Sequence, residues 1–214
     1  MVKGVFMRSN IVGFTGVSHS GKDTAATVLI KKGWVRYGFA DAVKDFCAEH
    51  LKLSRAFFYE IDLKDAPFPQ PFPITKNVLS TMITALGGNN THLSTLESVK
   101  TFNTPREILQ YVGTDIGRNL IGENVWIDYF QKMDKPEKMV VTDVRFPNEV
   151  NVIQQLGGIV IRLTRKAAKH KSAKLHESES LIDSLEVDHE IQNTTTKEYL
   201  HNMVLNILDN ENML

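Results

Sequence analysis

A chain of 214 residues is ample for one domain, or one domain with a lid, around a sizeable core. Lysine plus arginine equals aspartate plus glutamate at 25 each, so no global basic field points to a nucleic acid polymer or an anionic membrane surface. The single cysteine, Cys47, excludes an intrachain disulfide framework and a cysteine-based zinc site and fits a reducing, cytoplasmic setting; no apolar stretch reaches membrane-spanning length, and the first ten residues read as a leader into the first strand.

Residues 11–14 form an apolar run that predicts a short buried strand. Gly16 and Gly21 follow in a loop, and Lys22 opens a helical pattern with Ala25, Ala26, Val28 and Leu29 that stops at Gly33. Glycine permits backbone angles closed to other residues, so the N–H groups of such a turn converge on an anion at the helix start. The helix dipole favours negative charge at the same point. Gly16-x4-Gly21-Lys22 has the spacing of a phosphate-binding loop whose lysine reaches the outer phosphates of a nucleotide. Asp23 stands where that motif usually carries a Ser or Thr ligand for magnesium. It either binds the metal, directly or through water, or acts only as a first-turn carboxylate. Thr24 keeps a hydroxyl one position later, suited to an inner phosphate.

Aromatic and β-branched residues at 34–39 predict a second strand. It leads into a helix with Ala42, Val43, Phe46 and Cys47 on its apolar face and Asp41 as its cap. A short helix over 55–61 is expected next. Pro67, Pro69, Pro71 and Pro73 forbid helix and discourage an interior strand, which makes this stretch a surface loop. Residues 74–86 read as helix and 87–95 as a second flexible connection, so that 54–103 look like an insertion on one side of a sheet. Thr104-Pro105-Arg106-Glu107 opens the next helix, with Thr104 as cap, Pro105 in first position and Glu107 closing a capping box. Ile108, Leu109, Val112 and Ile116 lie on one apolar face. Arg106 and Gln110 share another, which is either solvated surface or a bidentate grip on a second phosphate. Trp126 starts a short amphipathic helix and, from composition alone, belongs to a core.

Residues 138–143 are a compact apolar strand ending in Asp143. Ligands of doubly wound α/β proteins lie beyond the carboxyl ends of the strands, so Asp143 is expected at the same crevice as Lys22. Arg145, two residues on, completes a carboxylate and a guanidinium suited to a metal and a phosphate. A helix with Val150, Ile153 and Leu156 follows, then Gly157-Gly158, then a strand at 159–163. Positive charge concentrates at Arg165, Lys166, Lys169, Lys171 and Lys174, either as a solvated face or as a lid whose cations stabilise a transferring phosphoryl group. His176 and Glu179 have metal-ligand spacing without further ligands nearby and are read as lid or hinge structure. A strand at 188–192 and an amphipathic helix at 197–208 end the chain.

Four blocks together resemble the phage-type deoxynucleoside monophosphate kinases of the P-loop nucleoside monophosphate kinase superfamily. They are Gly16-Val17-Ser18-His19-Ser20-Gly21-Lys22-Asp23-Thr24, Thr104 to Gln110 with Gly113-Thr114, Thr142-Asp143-Val144-Arg145-Phe146-Pro147-Asn148-Glu149, and His176-Glu177-Ser178-Glu179. An aspartate after the loop lysine is itself a feature of that family, while residues 66–100 hold none of the blocks that carry the resemblance. The resemblance implies a three-layer α/β P-loop kinase fold: a parallel five-stranded sheet with helices on both faces, an acceptor-binding helical insertion and a lid. These form one domain, with its core about 10–53, 104–164 and 185–214, the insertion about 54–103 and the lid about 165–180.

It also implies transfer of the γ-phosphoryl of ATP to a (deoxy)nucleoside monophosphate with magnesium, in the cytoplasm (that of the host if phage-encoded), with a homodimer as one option. Gly16, Ser18, Ser20, Gly21, Lys22, Asp23 and Thr24 would hold ATP. Arg106, Gln110, Gly113, Thr114, Trp126, Asp143, Arg145 and Glu149 would form the acceptor side. Lys22, Asp143, Arg145 and Arg165 would act in catalysis, with Arg162 as a second lid cation, and Asp23 and Asp143 would ligate the metal. Two rivals share the first strand and loop: a small-molecule kinase of the dephospho-coenzyme A or phosphomevalonate type, and a nucleotide-binding switch. The Asp143/Arg145 pair and the basic stretch favour a kinase over the switch, which needs no second phosphate pocket.

Overall fold

The computed structural model describes residues 10–94, 96–165 and 182–214; Lys166 to Lys174 and the His176/Glu179 pair therefore lie outside the described residues. The strands are β1 Asn10–Thr15, β2 Val35–Tyr37, β3 Phe72–Thr75, β4 Val99–Phe102, β5 Lys138–Val144, β6 Ile159–Thr164 and β7 His189–Gln192. The first helices are α1 Lys22–Ile30, α2 Phe39–Leu51, α3 Ala56–Tyr59, α4 Ile61–Lys64, α5 Lys76–Ala85 and α6 Asn90–Leu93. They are followed by α7 Pro105–Gln110, a π-helix Tyr111–Ile121, α8 Val125–Lys132, α9 Pro147–Gln155 and α10 Lys197–Asn210. None of these helices is long and apolar enough to cross a membrane.

The elements fall into two units. The first holds the described residues of Met1–Gly38 and Asp134–Leu214. Its sheet runs β2-β5-β1-β6-β7, with every pairing parallel. A parallel sheet covered on both faces needs strands that are apolar almost throughout. Ile11, Val12 and Phe14 of β1 are accordingly fully buried, as are Val140 and Val141 of β5 and Val160 and Ile161 of β6. Val12 and Phe14 pack with Ala25 and Leu29 of α1 and with Leu200, Val204 and Leu208 of α10. Gly13 faces the opposite way, and a Cβ there would lie 2.8 Å from Ile153 Cδ1 of α9. The result is three layers, as the resemblance implies, with α1 and α10 on one face of the sheet and α9 on the other.

The second unit, Phe39–Met133, has its own core, in which Phe46, Phe58, Ile74, Met82, Phe102, Val112 and Trp126 meet. Several expectations for this stretch need correction. The proline run does not remain loop to its end: Phe72-Pro73-Ile74-Thr75 is β3, paired antiparallel with β4 so that Pro73 stands opposite Thr101. In a two-stranded sheet each strand has a partner on one side only, so the N–H that Pro73 lacks is not missed on the other side. The following helix consequently starts at Lys76, capped by Thr75 Oγ1 accepting from Val78 N, and not at residue 74. Residues 87–95, expected as an open connection, contain the turn of helix α6, with the Asn89 side chain accepting from Thr91 N. Asp41 lies inside the first turn of α2 and does not precede it; its carboxylate takes Lys44 Nζ at 2.7 Å.

Thr104 caps α7 as expected, accepting from Glu107 N, but Glu107 reaches back one residue beyond the box geometry, to Asn103 N at 2.7 Å. Past Gln110 the chain widens into the π-helix, visible in the bond from Gly122 N to Gly117 O, five residues back. The three-to-four spacing of Ile108, Val112 and Ile116 gives no sign of this change of period.

Candidate functional site

Within the first unit the glycine loop follows β1 at the carboxyl edge of the sheet, where Thr15 stands beside Val144 on one side and Arg162 on the other. Its first glycine, Gly16, sits at φ 143°, and a Cβ there would lie 2.4 Å from Leu163 O and 2.6 Å from Ser20 Oγ. Ser20 N closes a tight turn onto Val17 O at 3.1 Å. His19 inside that turn has φ 61°, the left-handed region that a non-glycine residue adopts at some cost. Gly21, at φ 108°, sits directly before α1. Lys22 Nζ donates to Gly16 O at 2.7 Å and Val17 O at 2.9 Å, which keeps the ammonium against the loop. Thr15 Oγ1 and Ser20 Oγ are buried here and, among the described residues, have no hydrogen-bond partner. Buried hydroxyls are nearly always paired, so the polar chemistry of this loop is incomplete on its own.

Two residues that the sequence reading passed over brace the loop from behind. Asn193, just after β7, is tied by its N–H to Thr164 O and donates its side-chain Nδ2 to Ser20 O at 2.8 Å. The same nitrogen would lie 2.3 Å from a Cβ at Gly21. His201 of α10 meets Thr24 O at 2.9 Å through Nε2; a carbonyl only accepts, so that nitrogen carries the proton. No motif marks either residue, since both act across the fold; the available signal is a polar residue ending an edge strand beside the loop.

Asp143, half-exposed, lies at the end of β5 on the same edge as the loop. Its carboxylate sits so close to Gly38, beyond the end of β2, that a Cβ there would be 2.8 Å from Asp143 Oδ2. Arg145 is exposed two residues further on. Glu149, expected on the acceptor side, is 2% exposed and folds back to accept from Arg145 N at 2.8 Å and Phe146 N at 3.2 Å, fixing the turn that presents Arg145. Arg165 is exposed and shares a cleft of about 160 Å³ with Gly16, Val17, Thr164 and Asp183. Arg162, expected as a second lid cation, lies within β6 and lines the same cleft. It stands opposite Glu190 in the β6–β7 register, pairs with that carboxylate and donates to Leu185 O. Cross-strand opposite charges explain its place. Asp23 is exposed in the first turn of α1 and Thr24 half-exposed behind it. Among the described residues no three His, Cys, Asp or Glu side chains gather as a metal cage.

In the second unit Arg106, Gln110 and Thr114 are exposed, whereas Gly113 is buried. The Arg106 guanidinium grips Asp65 bidentately, with the Nη2–Oδ2 arm at 2.8 Å. That pairing holds the Asp65 carboxyl below the usual carboxylate range and raises Arg106. Trp126, expected on the acceptor side, is 2% exposed. Its indole N–H donates to Gly113 O at 2.8 Å and its ring lies edge-on to Phe46 and Tyr129, so it offers no surface on which a base could stack.

The deoxynucleotide monophosphate kinase family model matches residues 73–204, more than half of the sequence. The chain belongs to the deoxynucleotide monophosphate kinase family. Two relatives agree in extent. A protein of Acanthamoeba polyphaga mimivirus named for deoxynucleotide monophosphate kinase activity is 28% identical, over 95% of this chain and 98% of that protein. The deoxynucleoside-5'-monophosphate kinase of Escherichia phage T5 is also 28% identical, over 86% of this chain and 90% of its own. Among solved structures, a dephospho-CoA kinase from Campylobacter jejuni covers 94% of this chain and 96% of its own at 15% identity and TM-score 0.43, too distant to bear on substrate. Family membership makes this chain a kinase of nucleotides, and the glycine loop at the sheet edge is the part of its geometry that such chemistry requires.

Proposed function

We propose that the chain transfers the γ-phosphoryl group of ATP to a deoxynucleoside monophosphate, with magnesium, in the cytoplasm. The observation that carries this is the loop itself: two glycines at positive φ, a lysine held against the loop carbonyls and two buried hydroxyls that have no partner among the described residues. An ATP phosphate chain would supply the missing partners and take up the first N–H groups of α1.

Phosphoryl transfer leaves the protein little covalent chemistry; positioning and charge neutralisation dominate. Gly16, Ser18, Ser20, Gly21, Lys22 and Thr24 bind the donor phosphates, with Lys22 offsetting charge on the outer two. Arg145 and Arg165 lie at the same edge of the sheet, where a guanidinium neutralises charge on the group in transit. In the helical unit Arg106, with Gln110 and Thr114 exposed beside it, takes the acceptor phosphate; its fork already holds a carboxylate in the geometry of two phosphate oxygens. Gly113 and Trp126 shape the helix beneath those residues, and Glu149 sets the turn that carries Arg145.

Magnesium suits these residues: it keeps most of its waters and needs only one or two carboxylates beside substrate phosphates, so the missing cage is no obstacle. Asp23 and Asp143 would hold it, and when bound it supplies neutralisation of the phosphate charge. Asp143 also serves in acceptor binding.

The test is ADP release from ATP and magnesium across a panel of ribo- and deoxyribonucleoside monophosphates, with dephospho-coenzyme A and phosphomevalonate included. Turnover with one or more deoxynucleoside monophosphates is expected. ADP release independent of any acceptor, or only with the two non-nucleotide acceptors, would end the proposal.

A further inference from the structure

The helical unit contains a second feature that the reading above does not use. Lys64 closes α4 and is half-exposed; among the described residues its ammonium has neither a hydrogen bond nor an ion pair. Burial lowers its ammonium from the usual lysine range, and repulsion from Arg106 and then Lys44 lowers it further, with Asp65 opposing them. Arg106 of α7 and Lys44 of α2 therefore both lie within electrostatic reach of Lys64 on α4. Lys44 is partnered by Asp41 at 2.7 Å and lies 4.6 Å over the Tyr59 ring, which fixes its position. Arg106 is partnered by Asp65, whose side chain is 52% exposed. An ion pair that open to water contributes little, so a stronger anion displaces Asp65 at small cost. A cation that is part-buried, unpaired and crowded by like charge is in turn relieved by any anion that arrives.

We propose that Lys64, Arg106 and Lys44 form a cluster that binds the phosphomonoester of the acceptor nucleotide, and that Asp65 occupies the Arg106 fork until that phosphate displaces it. This rests on Arg106 being an acceptor residue and adds to it a second ligand, Lys64, and a placeholder, Asp65. A phosphomonoester dianion carries twice the charge of the carboxylate and three oxygens. It keeps both arms of the guanidinium engaged and offers a further oxygen to Lys64.

The experiment measures binding of dTMP, dGMP, dAMP and dCMP in turn by calorimetry without ATP, then KM for the best acceptor and for ATP, in wild type, Lys64→Gln, Lys64→Arg, Asp65→Asn and Arg106→Ala. Lys64→Gln is expected to weaken monophosphate binding roughly tenfold, as for loss of one charge-assisted bond, with the ATP KM unchanged. Lys64→Arg should restore most of that loss, and Asp65→Asn should bind as tightly as wild type or tighter. The matching deoxynucleosides and inorganic phosphate form two further arms: Lys64→Gln should leave the former unaffected and weaken the latter. Wild-type binding in Lys64→Gln alongside a loss in Arg106→Ala would overturn the cluster while sparing the acceptor reading. Wild-type binding in Arg106→Ala would remove both. Weaker binding in Asp65→Asn would show that the carboxylate is a working part of the site and overturn its role as placeholder.

Discussion

Asn193 offers the most discriminating substitution, because its backbone and side chain do separate jobs. The N–H to Thr164 O anchors the residue to β6 whatever its side chain, while Nδ2 holds the Ser20 carbonyl at 2.8 Å and so orients the Ser20–Gly21 peptide. In Asn193→Ala that bond is lost and the carbonyl of a fully buried residue is left without it. Loss of a neutral hydrogen bond with its acceptor stranded amounts to about 1–3 kcal/mol. If that loss is expressed in the loop, the donor KM rises by roughly 5- to 140-fold, since each 1.4 kcal/mol is a factor of ten. Asn193→Asp should be worse, because a carboxylate cannot donate and sets a negative charge against a carbonyl beside the proposed donor phosphates. The assay is steady-state ADP release with ATP and acceptor varied independently, alongside thermal unfolding of each variant. A raised ATP KM with the acceptor KM within about twofold is the signature of lost donor positioning. An ATP KM at the wild-type value in a folded Asn193→Ala protein would refute the reasoning, as would aspartate outperforming alanine.

Lys22→Ala should lower turnover at least about a hundredfold, the scale of removing one charge-stabilising donor, with circular dichroism and melting temperature close to wild type; near-normal turnover in a coupled ADP assay counts against the loop as the donor site. Gly16→Ala should cost about 3 kcal/mol or more in urea unfolding, because the new Cβ meets Leu163 O at 2.4 Å on a backbone at φ 143°; an unchanged midpoint would contradict that close approach. Burial pushes the Cys47 thiol up to about 12, so at pH 8.5 it should resist iodoacetamide in the native protein and react readily in urea. The sign of the linked stability follows: the native thiol stays protonated while the unfolded one ionises, so this contribution is complete below about pH 8.5 and is lost as pH rises towards 12, measurable as a falling urea midpoint that Cys47→Ala abolishes.

Legibility in the sequence tracked how local each determinant was. The strand into the glycine loop and the helix opening at Lys22 were readable because turn chemistry and helix start lie within a dozen residues. The apolar runs of β5 and β6 were readable because a strand buried on both faces leaves an unbroken apolar stretch. Pro73 misled because the penalty for proline in a sheet depends on whether the strand has one neighbour or two, and its partner on β4, Thr101, lies 28 residues away. The pairing of Arg162 is hidden in the sequence for a similar reason. Its charge groups with Arg165, its near neighbour in the chain, yet the carboxylate it pairs with is Glu190, directly across the β6–β7 ladder. An arginine inside an apolar strand and a glutamate inside the next were the available signal, since opposite charges at paired positions neutralise each other.

The glycine loop shows the same division within a single residue. Read locally, Gly21 is a glycine because φ 108° before a helix excludes most side chains, and that reason is sufficient to recognise the motif. The fold adds an independent one: Asn193 Nδ2 occupies the space that a Cβ would take, 173 residues away from the carbonyl it holds. His201 acts at similar range on Thr24 O, 177 residues distant. The part of the site proposed to touch the nucleotide is thus written in a short word near the start of the chain. The part that keeps that word in one conformation is supplied by its last strand and helix. A substitution at the far end of the sequence should therefore read out as a donor-binding defect, which no local reading of the loop would anticipate.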